Sequence, residues 1–234
     1  MFHFKQFTVD QTGCAMKINT DGVLLGALAE ADRPNSVLDI GTGTGVIALM
    51  LAQRFDEAQI DAVEIDSTAA QTAERNFINS PFPERLSIYP MGFDQFFEQN
   101  PDRKYDLIVS NPPFFINSLK SLKANKELAK HTDEDFFEAL IAGIAKHLNF
   151  DGLAYLILPL ETADLARNIA LKNKLFVRKM MAIYSFKDSA PHREILVLAM
   201  DKTKADDEQF IIYDQPKVYS KQYQESLKDF FTIF

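Results

Sequence analysis

The feature that most constrains the fold of this chain is an apolar strand pattern that runs directly into a glycine loop and then into a helix pattern. Residues 36–40 have the pattern of a short buried strand, residues 41–45 carry glycine at alternate positions, and residues 46–55 have that of a helix. The same alternation continues, with strands expected over 60–65, 86–89, 105–110 and 152–158 and helices over 68–79, from Thr132 and over 161–173. Such alternation indicates a mostly parallel sheet with helices on both faces.

The sequence beyond this alternation predicts how the sheet closes and what flanks it. Residues 175–184 and 193–200 have the pattern of a closing antiparallel strand pair, which gives seven strands in the sheet. We expect one domain, with a core over 36–200 and a C-terminal strand and helix over 201–234. The first 35 residues should add a small hairpin and then a helix that begins at Thr20 or Asp21 and ends near Ala31.

Composition excludes several classes of protein. The 234 residues are 47% hydrophobic, which favours a packed globular core over disorder. Residues 46–52 are the longest purely apolar run, and Cys14 is the single cysteine, so we expect no membrane span, no disulfide framework and no metal centre. Together with the absence of a secretion-signal pattern, these features predict a cytoplasmic protein. The net charge of −8 argues against indiscriminate binding to nucleic acid.

The glycine loop and two acidic residues indicate a nucleoside-containing ligand. Behind Asp39 the loop has the spacing G-x-G-x-G, and Val46 stands where a dinucleotide fingerprint requires its third glycine. The spacing therefore favours a ligand without phosphates, although a purely structural turn remains an alternative. Glu64, 23 residues after Gly41, can accept hydrogen bonds from ribose hydroxyls. Asp94 can accept from an adenine amine or can cap the helix that follows it.

These motifs resemble those of class I S-adenosylmethionine-dependent methyltransferases, over about residues 36–200. The resemblance implies a Rossmann-like α/β fold and S-adenosylmethionine as the cofactor. In that family the glycine loop packs against the methionine part of the cofactor, the acid holds the ribose and the later aspartate contacts the adenine. The cofactor-binding residues that this implies are Asp39, Gly41, Thr42, Gly43, Glu64, Ile65, Asp94 and Asn111.

A second motif, Asn-Pro-Pro-Phe, follows the fourth predicted strand directly. Pro112 and Pro113 stiffen the turn and remove two backbone donors, which leaves the Asn111 side-chain oxygen and the Pro112 carbonyl as acceptors beside the flat ring of Phe114. Two acceptors can hold a planar amine through its two N–H bonds and bind it better as the nitrogen becomes tetrahedral. A structural proline turn is the alternative interpretation. The motif resembles the fourth signature of amino-methyltransferases, which makes all four residues catalytic candidates.

The flanks of the chain resemble one bacterial family, the valine-tRNA adenine-37 methyltransferases. The resemblance rests on residues 4–9, 14–17 and 20–26 at the N-terminus and on residues 212–213, 219–223 and 227–231 at the C-terminus, so it covers nearly the whole chain. It implies methylation of the exocyclic amine of the adenine beside the anticodon. It also implies that the N-terminal extension covers the cofactor, with Lys17, Thr20 and Asp21 nearby. Phe114 departs from the tyrosine common at this position, which removes a hydroxyl and preserves stacking.

The candidate contacts to the anticodon stem-loop of the tRNA are basic. Residues 117–131 carry four lysines against one glutamate, a formal charge of +3, and their spacing places the lysines on one helix face. A solvated helix face is the alternative interpretation of this pattern. Arg193, which opens the second strand of the predicted closing pair, is a further candidate phosphate contact. The proposed contacts are therefore Lys120, Lys123, Lys126, Lys130 and Arg193.

Other acceptors and one other class of protein stay open. The Asn-Pro-Pro corner also suits a guanine amine of RNA or a glutamine side chain of a protein substrate. Glutamine methyltransferases usually carry a larger N-terminal helical domain, for which the 35 residues before the first core strand leave no room. A non-catalytic S-adenosylmethionine-binding module would be expected to lose the acceptor corner, which is intact here. The sequence does not predict an oligomeric state.

Overall fold

The computed structural model describes residues 1–14, 17–113 and 123–234, and for residues 123–133 it describes the backbone alone. Within these residues the β-strands are β1 (Phe2–His3), β2 (Thr8–Val9), β3 (Ser36–Ile40), β4 (Gln59–Val63), β5 (Leu86–Tyr89), β6 (Tyr105–Ser110), β7 (Leu148–Leu158), β8 (Phe176–Phe186), β9 (Pro191–Ala199), β10 (Asp206–Gln215) and β11 (Val218–Tyr219). The α-helices are α1 (Thr20–Leu28), α2 (Val46–Arg54), α3 (Ser67–Ile78), α4 (Phe93–Gln99), α5 (Lys123–His147), α6 (Leu160–Lys172) and α7 (Lys221–Leu227).

The predicted α/β architecture, with a mostly parallel sheet and an antiparallel closing pair, is confirmed. The described strands form a two-stranded hairpin of β1 and β2 and one sheet of nine strands in the order β11-β10-β8-β9-β7-β6-β3-β4-β5. Strand β9 is antiparallel to both β7 and β8, as expected for the closing pair. Strands β4 and β5 lie on one side of β3. The chain then crosses to the other side of β3 to form β6, so the strand order reverses between β3 and β6.

The expected number of seven strands is wrong, because the C-terminal residues extend the sheet. Strand β10 pairs in parallel with β8, and β11 pairs antiparallel with β10. The backbone groups of an edge strand are open to a further partner, and β8 would be such an edge without β10. The short apolar run at 210–213, which is all the sequence shows, is the central part of a strand that is ten residues long.

The sheet is covered on both faces, which explains why its central strands are almost continuously apolar. In β3 the side chain of Val37 packs into the core cluster beneath α1, α2, α3 and α7, whereas Leu38 packs into the cluster beneath α4, α5 and α6. Strand β6 alternates in the same way, with Leu107 on the first face and Ile108 on the second. Because successive side chains of a strand point to opposite faces, a strand between two helical layers is apolar at most of its positions.

Two expected helix starts differ from the structure. Helix α1 is capped by Asn19, whose side chain accepts from the Gly22 N–H at 2.9 Å, rather than by Thr20 or Asp21, and it ends at Leu28 instead of near Ala31. Asn, Thr and Asp are all good N-caps, so a run of the three cannot be resolved from sequence. Helix α5 begins at Lys123 and continues through Thr132, where a start was expected, because no proline or glycine interrupts it before Gly143.

The glycine loop makes the turn from β3 into α2 possible. Gly45 has φ of +84°, and a β-carbon on it would lie 2.4 Å from Cε1 of the buried Phe77. Gly41 has φ of +73°, but a β-carbon there would have no other heavy atom within 4 Å. Gly45 is therefore required by both backbone conformation and packing, whereas Gly41 is required by conformation alone.

We therefore expect Gly45→Ala to lower the free energy of unfolding by about 2–4 kcal/mol, since left-handed strain and overpacking add. Gly41→Ala, the matched variant in open space, should cost only about 1–2 kcal/mol. Urea unfolding of both variants without ligand measures the two losses. Equal losses would contradict the packing role of Gly45.

Candidate active site

The candidate active site is a cavity of about 720 Å³ at the carboxyl ends of β3, β4, β5 and β6. It lies where the strand order reverses, which is the usual position of a ligand site in an open α/β sheet. Its volume is within the range of small-molecule and cofactor sites. The described residues that line it are Cys14, Ile40, Gly41, Gly43, Val63, Glu64, Ile65, Asp66, Ala69, Met91, Gly92, Phe93, Asp94, Ser110, Asn111, Pro112, Pro113, Asp135, Phe136 and Ala139.

The glycine loop is fixed to the end of the neighbouring strand β4 by three backbone donors. The N–H groups of Gly41 and Thr42 donate to the Val63 carbonyl at 2.8 and 3.1 Å, and the Gly43 N–H donates to Oε2 of Glu64 at 2.9 Å. The other carboxylate oxygen of Glu64 accepts from the Asp66 N–H at 2.8 Å. Both oxygens of Glu64 are thus oriented by the backbone, and each keeps acceptor capacity that it can offer to the cavity.

Gly41 and Gly43 let a ligand approach the backbone closely. Both have positive φ, of +73° and +58°, and a β-carbon on either would have no other heavy atom within 4 Å. The space that these side chains would occupy is therefore part of the open cavity. A ligand can therefore lie against the loop backbone here.

Asp39 lies beneath the loop and is completely buried. Its Oδ2 accepts from the Thr42 hydroxyl at 2.6 Å and from the Ala48 N–H at 3.2 Å, while its Oδ1 has no hydrogen-bond partner among the described atoms. Burial raises the pKa of this carboxyl from 3.8 to about 7, against the hydrogen bonds that lower it. Neither Asp39 nor Thr42 is among the residues that line the cavity, and the hydrogen bonds of Asp39 hold the loop from below.

The walls of the cavity combine carboxylates with apolar side chains. Glu64, Asp66, Asp94 and Asp135 all line it, which makes it acidic. The apolar surface includes Ile65, which is 78% exposed. Phe93 and Phe136 add an edge-to-face ring pair, 5.5 Å apart at 90°. A cavity with this lining suits a ligand that carries positive charge and also has a flat apolar part.

The Asn-Pro-Pro corner forms the side of the cavity next to β6. Ser110, the last residue of β6, donates its hydroxyl to the Ile40 carbonyl at 2.9 Å, which ties the start of the corner to β3. Asn111, Pro112 and Pro113 then line the cavity, and Pro112 is buried. Phe114 lies outside the described residues.

Helix α1 packs beside this corner. A β-carbon on Gly22 would lie 3.7 Å from Nδ2 of Asn111, so the first turn of α1 is next to the Asn111 side chain. Asp21 pairs with Arg193 of β9, with 2.8 Å from the carboxylate to Nε. Thr20 faces a separate cavity, between α1 and the C-terminal residues, and Lys17 is exposed outside the main cavity. The four candidates Lys17, Thr20, Asp21 and Arg193 therefore flank the cavity without lining it.

Sequence reasoning missed one wall of the cavity. Asp135, Phe136 and Ala139 reach it from α5, and Cys14 reaches it from the N-terminal segment. Their spacing on α5 is compatible with a helix face, but no motif marks them. Of the predicted RNA contacts, Lys120 lies outside the described residues, and Lys123, Lys126 and Lys130 lie in the part of α5 where only the backbone is described.

Within the described part of the chain, no group of three or more His, Cys, Asp or Glu side chains is arranged to hold a metal ion. No helix within it is both long and apolar enough to cross a membrane.

Comparison with known proteins gives the class and then the family. The model of the methyltransferase small domain family matches residues 17–158. A predicted O-methyltransferase of Agrobacterium tumefaciens, a solved structure, aligns with a TM-score of 0.70 at 14% identity and covers 90% of this chain and 96% of its own. The fold and the site thus define a class I methyltransferase.

Curated relatives then narrow the class. A Pedobacter heparinus protein is 46% identical over 100% of this chain and 98% of its own length, and one from Flavobacterium psychrophilum is 40% identical over 99% of each. Both are named tRNA1(Val) (adenine(37)-N6)-methyltransferase. The chain belongs to the tRNA1(Val) (adenine(37)-N6)-methyltransferase family.

The buried Asp39 predicts a pH dependence of stability. Because its pKa is raised to about 7 from 3.8, the folded protein binds more protons than the unfolded chain between these values. The contribution of the neutral Asp39 carboxyl to the free energy of unfolding is therefore complete below about pH 4. It is lost as the pH rises to 7, and the loss is at most about 4 kcal/mol.

Asp39→Asn should remove this contribution, since the amide has nearly the same shape and no charge. The variant should lose less stability than the parent between pH 5 and 7.5, as measured by urea unfolding without ligand at each pH. Parallel curves for the parent and the variant would show that Asp39 does not titrate in this range.

Proposed function

We propose that this chain transfers a methyl group from S-adenosylmethionine to the exocyclic amine of adenine 37 in tRNA1(Val). The observation that carries the proposal is the Asn111–Pro112–Pro113 corner, which lines the same cavity as the glycine loop and Glu64. This arrangement supports a donor and an acceptor amine meeting in one cavity. The near full-length similarity to the named relatives supports the choice of adenine 37.

The residues of the cavity fit S-adenosylmethionine. Its four carboxylates favour a ligand with a sulfonium and an ammonium group, and the open backbone at Gly41 and Gly43 leaves room for its methionine part. Glu64 is oriented to accept from the ribose hydroxyls, and Asp94 with Ile65 and Phe93 would hold the adenine. When bound, the cofactor supplies an electrophilic methyl group on a cationic sulfur. We assign Asp39 and Thr42 to the loop that holds this ligand, without direct contact.

The acceptor corner accounts for reaction at a poor nucleophile. An adenine amine shares its lone pair with the ring, so it is planar and weakly nucleophilic. The Asn111 side-chain oxygen and the Pro112 carbonyl can accept from its two N–H groups and hold it in place. Such hydrogen bonds strengthen as the nitrogen becomes tetrahedral and partly positive, and it is this difference that lowers the barrier. Pro112 and Pro113 have no N–H, so no backbone donor of these two residues points at the amine, and they can offer it acceptors only.

An RNA loop is a suitable substrate for this corner. A base beside an anticodon is in a loop, so it is already partly unstacked and can be presented at less cost than a base in a duplex. We expect the lysines that follow the corner in sequence to contact the phosphates of that loop; these are Lys120, Lys123, Lys126 and Lys130. Arg193 would act here mainly through its pairing with Asp21, which fixes α1 beside Asn111.

Two variants should separate the roles of acceptor corner and cofactor site. Asn111→Ala should lower kcat by about 10²–10³-fold, since it removes a hydrogen bond that strengthens in the transition state, and leave the Kd for S-adenosylmethionine nearly unchanged. Glu64→Gln should raise that Kd by about 10-fold or more. Its amide has one oxygen only, whereas the Gly43 and Asp66 N–H groups each need an acceptor.

Calorimetric titration with S-adenosylmethionine and single-turnover methylation measure the two effects separately. The reverse pattern, with cofactor binding lost in Asn111→Ala and turnover preserved, would contradict the roles assigned here.

Methyl transfer from labelled S-adenosylmethionine to an unmodified tRNA1(Val) transcript tests the function itself. Nucleoside analysis should show the label in N6-methyladenosine, and a transcript with guanine in place of adenine 37 should accept none. Label in methylated guanosine would overturn the acceptor. No label in RNA while the protein binds the cofactor would overturn the RNA substrate, and a labelled protein glutamine would then replace it.

A further inference from the structure

Asn76, on α3, has a buried amide that the proposed mechanism does not use. The residue is 4% exposed, and it is not among the residues that line the main cavity. Its Nδ2 donates to the Thr44 carbonyl at 2.8 Å and to the Asp10 carbonyl at 3.0 Å. Its Oδ1 accepts from the Asp10 N–H at 2.8 Å. One side chain thus joins the glycine loop to the N-terminal segment of the chain.

The three hydrogen bonds define the chemistry that this position needs. Two backbone carbonyls require two donors, and one backbone N–H requires an acceptor, and a carboxamide supplies all three. An ionised aspartate has no donor, and a serine hydroxyl has only one. Because a buried backbone group without a partner is costly, an amide is specified here and not simply any polar side chain.

Asn76 holds the end of the glycine loop, whereas β4 and the residue after it hold the start. The N–H groups of residues 41–43 donate to the Val63 carbonyl and to Glu64, and the Thr44 carbonyl accepts from Asn76. Thr44 is itself buried. The loop is therefore fixed by the sheet at its start and by α3 at its end, so the position of its open backbone depends on both contacts.

On its other side Asn76 holds a tight turn formed by residues 10–14, here called the N-terminal turn. The two bonds between Asn76 and the backbone of Asp10 fix the first residue of this turn. The carboxylate of Asp10 then accepts from the Thr12 N–H at 3.0 Å and from the Thr12 hydroxyl at 2.6 Å. A short aspartate-based turn of this kind sets the direction of the residues that follow.

The N-terminal turn lies against the first turn of α3 and reaches the main cavity. A β-carbon on Gly13 would lie 3.4 Å from Cγ2 of Thr68, in the first turn of that helix. Asp66 and Ala69, at the same end of α3, line the main cavity, and Cys14 lines it from the N-terminal turn. The wall of the cavity at this point is therefore built from two segments that Asn76 joins to the glycine loop.

We infer that Asn76 is a positioning residue for the cofactor, which fixes the N-terminal turn and the glycine loop relative to each other so that both face the bound ligand. It acts through Thr44 and Asp10 and does not touch the ligand itself. The inference rests on the proposed function, because it takes S-adenosylmethionine as the ligand of the main cavity. It adds a residue outside the cavity on which the affinity for that ligand depends.

Asn76→Ala should raise the Kd for S-adenosylmethionine by about 10-fold, a size usual for residues that act on a site without touching it. It should also speed the alkylation of Cys14 by iodoacetamide and weaken the protection that saturating S-adenosylmethionine gives to Cys14. Because Cys14 is the single cysteine of the chain, its alkylation reports on the N-terminal turn alone. Calorimetric titration and mass spectrometry of the full chain, at a temperature where the variant is folded, measure these effects.

Asn149→Ala is the matched control. The Nδ2 of Asn149 donates to Oδ1 of Asp106 at 2.6 Å, near the amino ends of β6 and β7 and so at the edge of the sheet opposite the main cavity. This variant also loses an amide hydrogen bond, but it should keep the Kd and the Cys14 alkylation rates of the parent. Equal changes in Asn76→Ala and Asn149→Ala would show a general effect of lost stability and would overturn the inference.

A pair of variants at Asp10 tests the same connection if Asn76→Ala does not fold. Asp10→Ala removes the acceptor for Thr12 but keeps the backbone groups that bind Asn76, so it should raise both the Kd and the Cys14 alkylation rate. Asp10→Asn keeps an oxygen for Thr12 and should restore values near those of the parent. Parent values in Asp10→Ala would show that the N-terminal turn does not support the cofactor site.

The outcomes separate this inference from the proposed function. If the parent binds S-adenosylmethionine and Asn76→Ala keeps its Kd and its protection of Cys14, the inference fails and the function stands. If the parent does not bind S-adenosylmethionine, the proposed function fails, and the inferred effect on affinity fails with it. Equal Cys14 alkylation rates in the parent and Asn76→Ala without ligand would overturn the remaining claim, that Asn76 fixes the N-terminal turn.

Discussion

The site depends on the connection between the loop after β3 and the end of β4. Three consecutive backbone N–H groups, from Gly41 to Gly43, donate to the Val63 carbonyl and the Glu64 carboxylate. This one contact turns the loop towards α2, opens space above its glycines and orients both oxygens of Glu64. Every donor is in the backbone, so the arrangement depends on the fold more than on particular side chains. The glycines are needed because the φ values are positive.

The main cavity concentrates negative charge at the carboxyl edge of the sheet. Four carboxylates, from Glu64, Asp66, Asp94 and Asp135, line it at the ends of β3, β4, β5 and β6. Helix α1 packs beside Asn111, and the pair of Asp21 with Arg193 attaches the first turn of this helix to β9. The net charge of the chain does not reveal where these carboxylates converge.

The sequence predicted the parts of the structure that are encoded locally. The strand-loop-helix alternation predicts the sheet. Glu64 and Asn111, both named as candidates from the sequence, line one cavity because the carboxyl ends of parallel strands share an edge. It could not predict the wall from α5, since Asp135 and Phe136 reach the cavity only through the packing of α5 on the sheet. It also did not show that Asp39 lies beneath the loop and away from the cavity, which depends on the hydrogen bonds it accepts from Thr42 and Ala48.

The two ends of the chain are joined, and this has a consequence for synthesis. The Lys5 N–H donates to the Phe230 carbonyl at 2.8 Å, Phe4 forms a β-bridge with Phe231, and Phe4, Phe7, Leu227 and Phe230 share one core cluster. During synthesis, Phe4 and Lys5 leave the ribosome first, and more than 200 further residues are added before Phe230 and Phe231 are made. The hairpin that precedes α1 therefore reaches its native packing only after residues 227–231 have been synthesised and released. By this topology the N-terminal hairpin, although it is made first, is among the last segments of the described fold to be completed.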